Sequence, residues 1–208
     1  MVKGITPLRV LLFGWFLSAE GVVSHAGVVT FLNDYEGFLA AAGDVRTIDF
    51  ETLPDGSPSH VGMHITPDFN YTSQGVTFSS PTGAPFISGN PVSGFGLMAD
   101  AYFEQQRTWI IATLTQGALA VGFFGPGTEF LSVYGGDGTL LDEAVVPGNV
   151  VDWFVGFVSD VPIARAVGDL GGTGAAIQAF AFTPVPEPMT VFLLLIGAFA
   201  AVRRRPNK

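Results

Sequence analysis

Residues 27–183 predict an antiparallel β-sandwich, and three observations carry that expectation. About nine short runs rich in β-branched and aromatic residues follow one another at close spacing. Clusters of Gly, Pro, Asp, Asn and Ser separate them, which is the pattern of strands joined by tight turns. One helical pattern stands near the start, with no second long one behind it. The segment is near 155 residues long, enough for one domain with its own core. No internal repeat recurs at a fixed period.

The elements follow in order. Gly27–Leu32 reads as a short extended segment. Asn33 and Glu36 have the spacing of a capping box, with Asn33 as N-cap and Glu36 at N3. The helix then runs Asp34–Ala42, and Gly43 suits the position after its end. Phe31, Tyr35, Phe38 and Leu39 are placed to face the core. The predicted strands are Arg46–Glu51, Gly75–Ser80, Thr108–Leu114, Leu119–Phe124 and Phe130–Tyr134, then Thr139–Val146, Asp152–Ser159, Ala164–Gly168 and Ala176–Thr183. Asp137-Gly138 between Tyr134 and Thr139 is the strongest hairpin signal, because that pair favours a turn with positive φ. Residues 171–174 form a glycine-rich loop before the final strand.

Charge and composition narrow the function classes. Within residues 27–183 stand 16 acidic residues against Arg46, Arg107 and Arg165, a net charge near −13 compared with −9 for the whole chain. Such a surface repels phosphate backbones, which argues against a nucleic-acid partner. It keeps a domain soluble, and it also attracts divalent cations. The chain has no cysteine. That removes thiol nucleophiles, thiolate metal sites and disulfide redox chemistry.

The two ends are different in kind. Lys3 and Arg9 precede an apolar run over residues 10–19, the length of a signal-peptide core. Ser24 and Ala26 offer small residues at −3 and −1, so cleavage by signal peptidase is expected after Ala26. At the other end, Met189–Val202 carries no charge and one hydroxyl, Thr190, and is followed at once by Arg203, Arg204 and Arg205. As a helix, 14 residues extend about 21 Å, against a hydrocarbon core of about 30 Å. The arginines are expected on the cytoplasmic side, leaving everything before Pro186 outside. The expected organisation is therefore a signal peptide over 1–26, an outer domain over 27–183 and a sorting segment over 184–208. The sorting segment holds a membrane helix near 189–202 and a basic tail at 203–208.

The triplet Pro186-Glu187-Pro188, the apolar helix and the Arg203–Arg205 tail, in that order, resemble the PEP-CTERM sorting signal of exopolysaccharide-producing Gram-negative bacteria. The resemblance covers about the last 25 residues. It implies recognition by an exosortase, which would cut near the triplet and release or transfer the outer domain. The same tail is also known as an ice-binding protein C-terminal motif, a label for the tail that gives no reason to expect ice binding. The outer domain in turn resembles the jelly-roll, lectin-like domains found ahead of this signal. The matching parts include Thr30-Phe31, Phe38–Gly43, Ile48–Gly56, Gly75–Phe78, Phe154–Phe157 and Phe180–Phe182. Similar domains carry acidic residues beside the isoleucine of the last strand, where this chain has Gln178 and Ala179 after Ile177. A calcium site built on those acids would be weakened or lost here. The resemblance thus implies a mostly β, jelly-roll-like antiparallel sandwich with one short N-terminal helix, framed by an N-terminal signal helix and a C-terminal transmembrane helix.

Candidate chemistry is sparse. Asp49, Glu51 and Asp55 are near each other, and Asp49 and Glu51 would share one face of a strand, so they are the candidate ligands for calcium, a hard cation that takes clustered oxygens. A solvated strand face followed by a turn explains the same residues. His60 and His64 have a zinc-like spacing, but Pro58, Gly62 and Pro67 argue against the helix that would align them. No Gly-x-Ser-x-Gly motif occurs, and Ser93-Gly94-Phe95-Gly96 lacks the first glycine. Asn70-Tyr71-Thr72 matches a glycosylation sequon, a short pattern that arises often by chance. Trp109, Trp153, Tyr71, Tyr102 and Tyr134 are the aromatics available to stack on sugar rings, with core packing as the competing role. Tyr102, set among polar residues, is the candidate ligand-binding aromatic, and Trp153, inside an apolar run, fits the core.

The expected function is that of a non-enzymatic, exported and exosortase-processed protein of the cell surface or extracellular matrix, associated with exopolysaccharide or biofilm. It needs no cofactor, with calcium as the one candidate ion. Its partners in export are signal peptidase, exosortase and the inner membrane, which would hold it transiently by the C-terminal helix. The alternative is a calcium-dependent or aromatic-stacking carbohydrate-binding module, and after it a glycan-acting hydrolase.

Overall fold

Alternation of apolar and polar side chains decides how this chain folds, because successive strand residues face opposite sides of a sheet. A computed structural model describes residues 22–25, 27–81, 83–90, 94–98, 109–125, 130–145, 153–169 and 176–184. The described elements begin with β1 (Val22–His25), β2 (Val28–Leu32), the helix α1 (Tyr35–Ala42) and β3 (Arg46–Ile48). Two short 3₁₀ turns at Pro67–Phe69 and Tyr71–Gln74 lead to β4 (Val76–Ser79), then β5 (Phe86–Asn90) and β6 (Gly94–Met98). The remaining strands are β7 (Trp109–Phe124), β8 (Phe130–Gly135), β9 (Leu140–Val145), β10 (Phe154–Asp169) and β11 (Ala179–Pro184).

Among the described residues the fold is an antiparallel sandwich with one α-helix, as the strand pattern predicts. It differs from the expectation in how the layers are joined. The runs 108–114 and 119–124 are one strand of 16 residues, β7, and the runs 152–159 and 164–168 are one strand of 16 residues, β10. These two pair along most of their length, with a register shift between Val158 and Ile163. Strands that bend and cross from one layer to the other make the corners of a sandwich. The first halves and second halves of β7 and β10 therefore belong to different layers. One layer has the order β9-β8-β10-β7-β4, and the other β1-β2-β10-β7-β11-β3.

Gly117 marks the bend in β7. Its φ is +76°, and a Cβ there would meet the Pro162 Cβ at 3.0 Å and the Ile163 carbonyl oxygen at 3.4 Å. Only glycine takes that conformation freely and leaves room for β10. The inward faces of both layers form one core, which includes Ile110, Leu131, Val133 and Ala166 from the first layer and Val121, Phe123, Phe157 and Phe180 from the second. A buried hydrogen bond from the Thr30 hydroxyl to the Asp142 carboxylate, 2.5 Å, ties β2 to β9 across the layers.

Helix α1 covers the outer face of the second layer. Phe38, fully buried, packs with Phe31, Ala120, Phe154 and Ala181. It can approach because Gly122 and Gly156 lie beneath it as cross-strand partners. A Cβ on Gly156 would sit 2.5 Å from the Phe38 ring, and one on Gly122 3.4 Å from that ring and 2.8 Å from Phe154. The helix starts one residue later than predicted. Asp34, not Asn33, is the N-cap, and its Oδ1 accepts from the Gly37 amide at 2.8 Å. Asn33 instead takes a positive φ of 54° and donates its amide to the Phe154 carbonyl, which fixes the turn into the helix.

Other departures have equally local causes. The predicted strand Arg46–Glu51 stops at Ile48, because Phe50 takes a φ of 61° and turns its ring into the core against Tyr71 and Phe78. The hairpin β5–β6 was not predicted, being rich in glycine and serine. Its buried Ile87 and Leu97 extend the core, and Leu97 exchanges backbone hydrogen bonds with Ile177. Strand β1, also not predicted, pairs with β2 on the N-terminal side of Ala26. The Asp137-Gly138 turn forms as expected, with Gly138 at φ +82° and the Thr139 carbonyl accepting from the Gly135 amide. No helix among the described residues is long and apolar enough to cross a membrane. The predicted signal helix, Ala26 and the segment 185–208 lie outside the described residues.

Candidate functional site

With α1 on the outer face of the second layer, the outer face of the first layer holds a groove. Strand register places its side chains in three rows. Trp109 of β7, Asp169 of β10 and Phe130 of β8 are cross-strand neighbours at one end. Ile111, Val167, Ser132 and, on β9, Glu143 form the middle row. Arg165 and Tyr134 pair at the other end. These residues line a groove of about 270 Å³. That volume is just under the roughly 300–1,000 Å³ of enclosed small-molecule pockets, and the shape suits a chain lying along a surface better than an engulfed ligand.

The aromatic groups are set up for stacking. Trp109 remains 42% exposed, unusual for the largest apolar side chain. At the far end the Arg165 guanidinium carbon lies 4.3 Å from the Tyr134 ring centroid, a cation–π contact. The Arg165 Nε has no hydrogen-bond partner among the described residues. Trp109 and Tyr134 stand four residues apart in strand register, about 13 Å at roughly 3.3 Å per residue. Between them the Ser132 hydroxyl donates to Glu143 Oε2 at 2.8 Å, which fixes one carboxylate in the groove floor. Aliphatic Ile111 and Val167 complete that floor. The arrangement offers an exposed indole at one end, a phenol covered on one face by a guanidinium at the other, and the Glu143 carboxylate between. It is suited to a ligand that presents apolar ring faces and hydroxyl edges together.

The sequence-predicted site residues fall elsewhere. Asp49 and Glu51 do not share a strand face, because the chain bends at Phe50, and Asp49 Oδ1 accepts from the Glu51 amide at 3.0 Å. Asp55 is engaged by Ser57, accepting from its amide at 2.9 Å and its hydroxyl at 2.6 Å. Those two bonds hold its carboxyl below the usual carboxylate range. Among the described residues no three His, Asp or Glu side chains gather in a metal-binding group. His60 and His64 lie in a loop, and His64 Nδ1 is 3.4 Å from the Ala84 carbonyl. Asn70 of the sequon is a structural residue. Its side chain accepts from the amides of Tyr71 and Phe78 and donates to the Phe78 carbonyl, which buries it.

Tyr71 is also withdrawn from any ligand, 1% exposed with its hydroxyl donating to the Thr52 carbonyl at 2.9 Å. Burial first, and the Asp49 charge second, push its hydroxyl up to about 12. Trp153 packs against the main core, as its apolar context predicts. Tyr102 and the sorting residues Pro186, Glu187, Pro188, Arg203, Arg204 and Arg205 lie outside the described residues. Arg165, Glu143 and Ser132 were missed by sequence reasoning. Arg165 carried a signal, being one of three basic residues in an acidic domain.

No protein-family model matches the chain, and no curated protein matches it in sequence. Among solved structures it is similar to a family 29 carbohydrate-binding module from Piromyces equi, at 10% identity and a TM-score of 0.35, covering 67% of this chain and 86% of that one. At that level of similarity the functional reading rests on the groove itself.

Proposed function

We propose that the protein is a non-catalytic glycan-binding protein of the cell surface or extracellular matrix, exported by its N-terminal signal and processed by an exosortase at Pro186-Glu187-Pro188. The observation that carries the binding part is the exposed Trp109 at one end of the groove and the Arg165-capped Tyr134 at the other. Sugar rings have apolar faces that stack on indole and phenol and hydroxyl edges that need charged or polar partners. Glu143 and Arg165 supply those partners. Stacking and hydrogen bonding by fixed side chains need no calcium, so this reading favours the aromatic form of recognition over the ion-dependent one. The export and sorting part is supported by the order of triplet, apolar run and arginines at the chain end.

The test is affinity electrophoresis of the protein through gels containing the exopolysaccharide of its own host. Retardation that is weakened in Trp109→Ala and Tyr134→Ala, with both variants folded by circular dichroism, supports the reading. Equal migration of wild type with and without polysaccharide would sink it. Chain shortening of the polysaccharide on incubation would point instead to the hydrolase reading.

A further inference from the structure

We infer that export processing leaves an open sheet edge along β2, and that this edge pairs with the same edge of a second copy of the chain. The inference rests on the export reading above. Strand β1 ends at His25, so cleavage after Ala26 removes it whole. In the sheet β1 is outermost, and β2 lies between it and β10. The two pair antiparallel from Val28 to Phe31 without a register shift. The processed chain therefore begins with β2 at the edge.

Backbone geometry fixes which residues line that edge. In an antiparallel ladder, alternate residues turn their N–H and C=O groups to opposite sides of the strand. Asn33 donates its amide to the Phe154 carbonyl, and the Gly27 carbonyl accepts from the Asp160 amide. Gly27, Val29, Phe31 and Asn33 thus address β10. Val28 and Thr30 address β1, with Leu32 facing the same way. Sheet edges are ordinarily blunted by a charge, a proline or a bulge. Val28–Leu32, with the sequence VVTFL, has none of these. The strand is nevertheless held in place. The Thr30 hydroxyl bonds to Asp142, and a Cβ on Gly27 would lie 2.6 Å from Asp160 Oδ1, so the new α-ammonium forms beside that carboxylate.

A second copy fits this edge because the edge is self-complementary. Set antiparallel about Thr30, each Thr30 falls opposite its counterpart and each Val28 opposite Leu32 of the other copy. These are the outward-facing residues, so each pair is positioned to exchange backbone hydrogen bonds. Val29 falls opposite Phe31, and uncharged side chains meet along the whole length. The contact closes about a two-fold axis and needs no further copies.

The experiment takes the protein recovered from outside native cells and reads its intact mass. Sedimentation over a range of concentrations then measures association, and amide hydrogen exchange locates it. The expected result is a chain beginning at Gly27 that forms a concentration-dependent dimer. The Thr30 and Leu32 amides should lose protection on dilution while those of Val29 and Phe31 keep it. Salt should tighten the dimer by screening the acidic surface. Val28→Pro spares the ladder to β10 and removes one outward amide per copy, so it should raise the dissociation constant about tenfold. A chain from Gly27 that stays monomeric would overturn the pairing and leave the export reading intact. A mass that includes residues 22–25 would overturn cleavage after Ala26 and the open edge with it. A dimer whose Thr30 and Leu32 amides exchange freely, or a foreign chain sedimenting with the monomer, would overturn self-pairing.

Discussion

Trp109 and Tyr71 show how position alone divides two aromatic residues between an exposed sheet face and the core. Trp109 sits at the start of a strand on an open sheet face, so its removal costs little packing. Trp109→Ala is expected to change the thermal midpoint only slightly and to weaken polysaccharide retention by roughly 2- to 12-fold, the loss of about 0.5–1.5 kcal/mol of stacking. Gel retardation beside a melting curve checks both halves. Tyr71 lies among Phe50 and Phe78 with its hydroxyl bonded to the Thr52 carbonyl. Its pKa is about 12 in the fold against an ordinary 10, so the folded state holds the phenol proton more tightly than the unfolded chain. That stabilisation is complete below the ordinary value and is lost as pH rises through the range between the two. Denaturant midpoints should fall over that alkaline window, and Tyr71→Phe should flatten the fall. At neutral pH the same variant should cost about 0.5–1.5 kcal/mol through the lost hydrogen bond.

At the scale of elements, the long strands β7 and β10 and the helix α1 each depend on glycines. Gly117→Ala would force a left-handed backbone on a residue with a side chain and press it against Pro162. A loss of about 1–3 kcal/mol is expected from that strain, read as a lower denaturant midpoint. Gly156→Ala acts on the other layer, where the added methyl would overlap the Phe38 ring. The cost should be about 1–3 kcal/mol. Hydrogen exchange should then rise first in α1, because the sheet beneath can keep its ladder while the helix lifts. Asp34→Ala, which removes the N-cap, should destabilise by about 1 kcal/mol, whereas Asn33→Ala leaves the cap bond in place. The contrast between these two variants checks the one-residue shift of the helix start.

At the scale of the whole molecule, helix α1 packs on one outer face of the sandwich and the groove lies on the other. If the groove binds glycan through stacking and fixed side chains, as proposed, chelation of divalent ions should leave polysaccharide retention unchanged. Retardation measured with and without a chelator tests this. The proposed route of export makes a separate prediction. The protein recovered from outside native cells should have the intact mass of a chain beginning at Gly27 and ending near Pro186, or that mass plus a transferred group. A mass that still contains the three terminal arginines would remove exosortase processing and leave the groove reading untouched.

The sequence by itself determined the kind of fold, the hairpin at Asp137-Gly138, the short helix near residues 34–42 and the acidic, cysteine-free character of the domain. These follow from periodicity, turn chemistry and composition, all of which are local. Trp109 and Tyr134 were recognisable as stacking candidates for the same reason. Tertiary structure alone decided that two pairs of predicted strands are two continuous ones, since a bend at Gly117 resembles a turn until β10 is seen packed against it. It alone decided that Asp49 and Glu51 lie on a bend, because the burial of Phe50 outweighs local strand alternation. And it alone assembled Trp109, Ser132, Tyr134, Glu143 and Arg165, which come from four consecutive strands, β7 to β10. Register across β7, β10, β8 and β9 is set by backbone hydrogen bonding and by burial of the opposite face, neither of which is written in the spacing of those five residues.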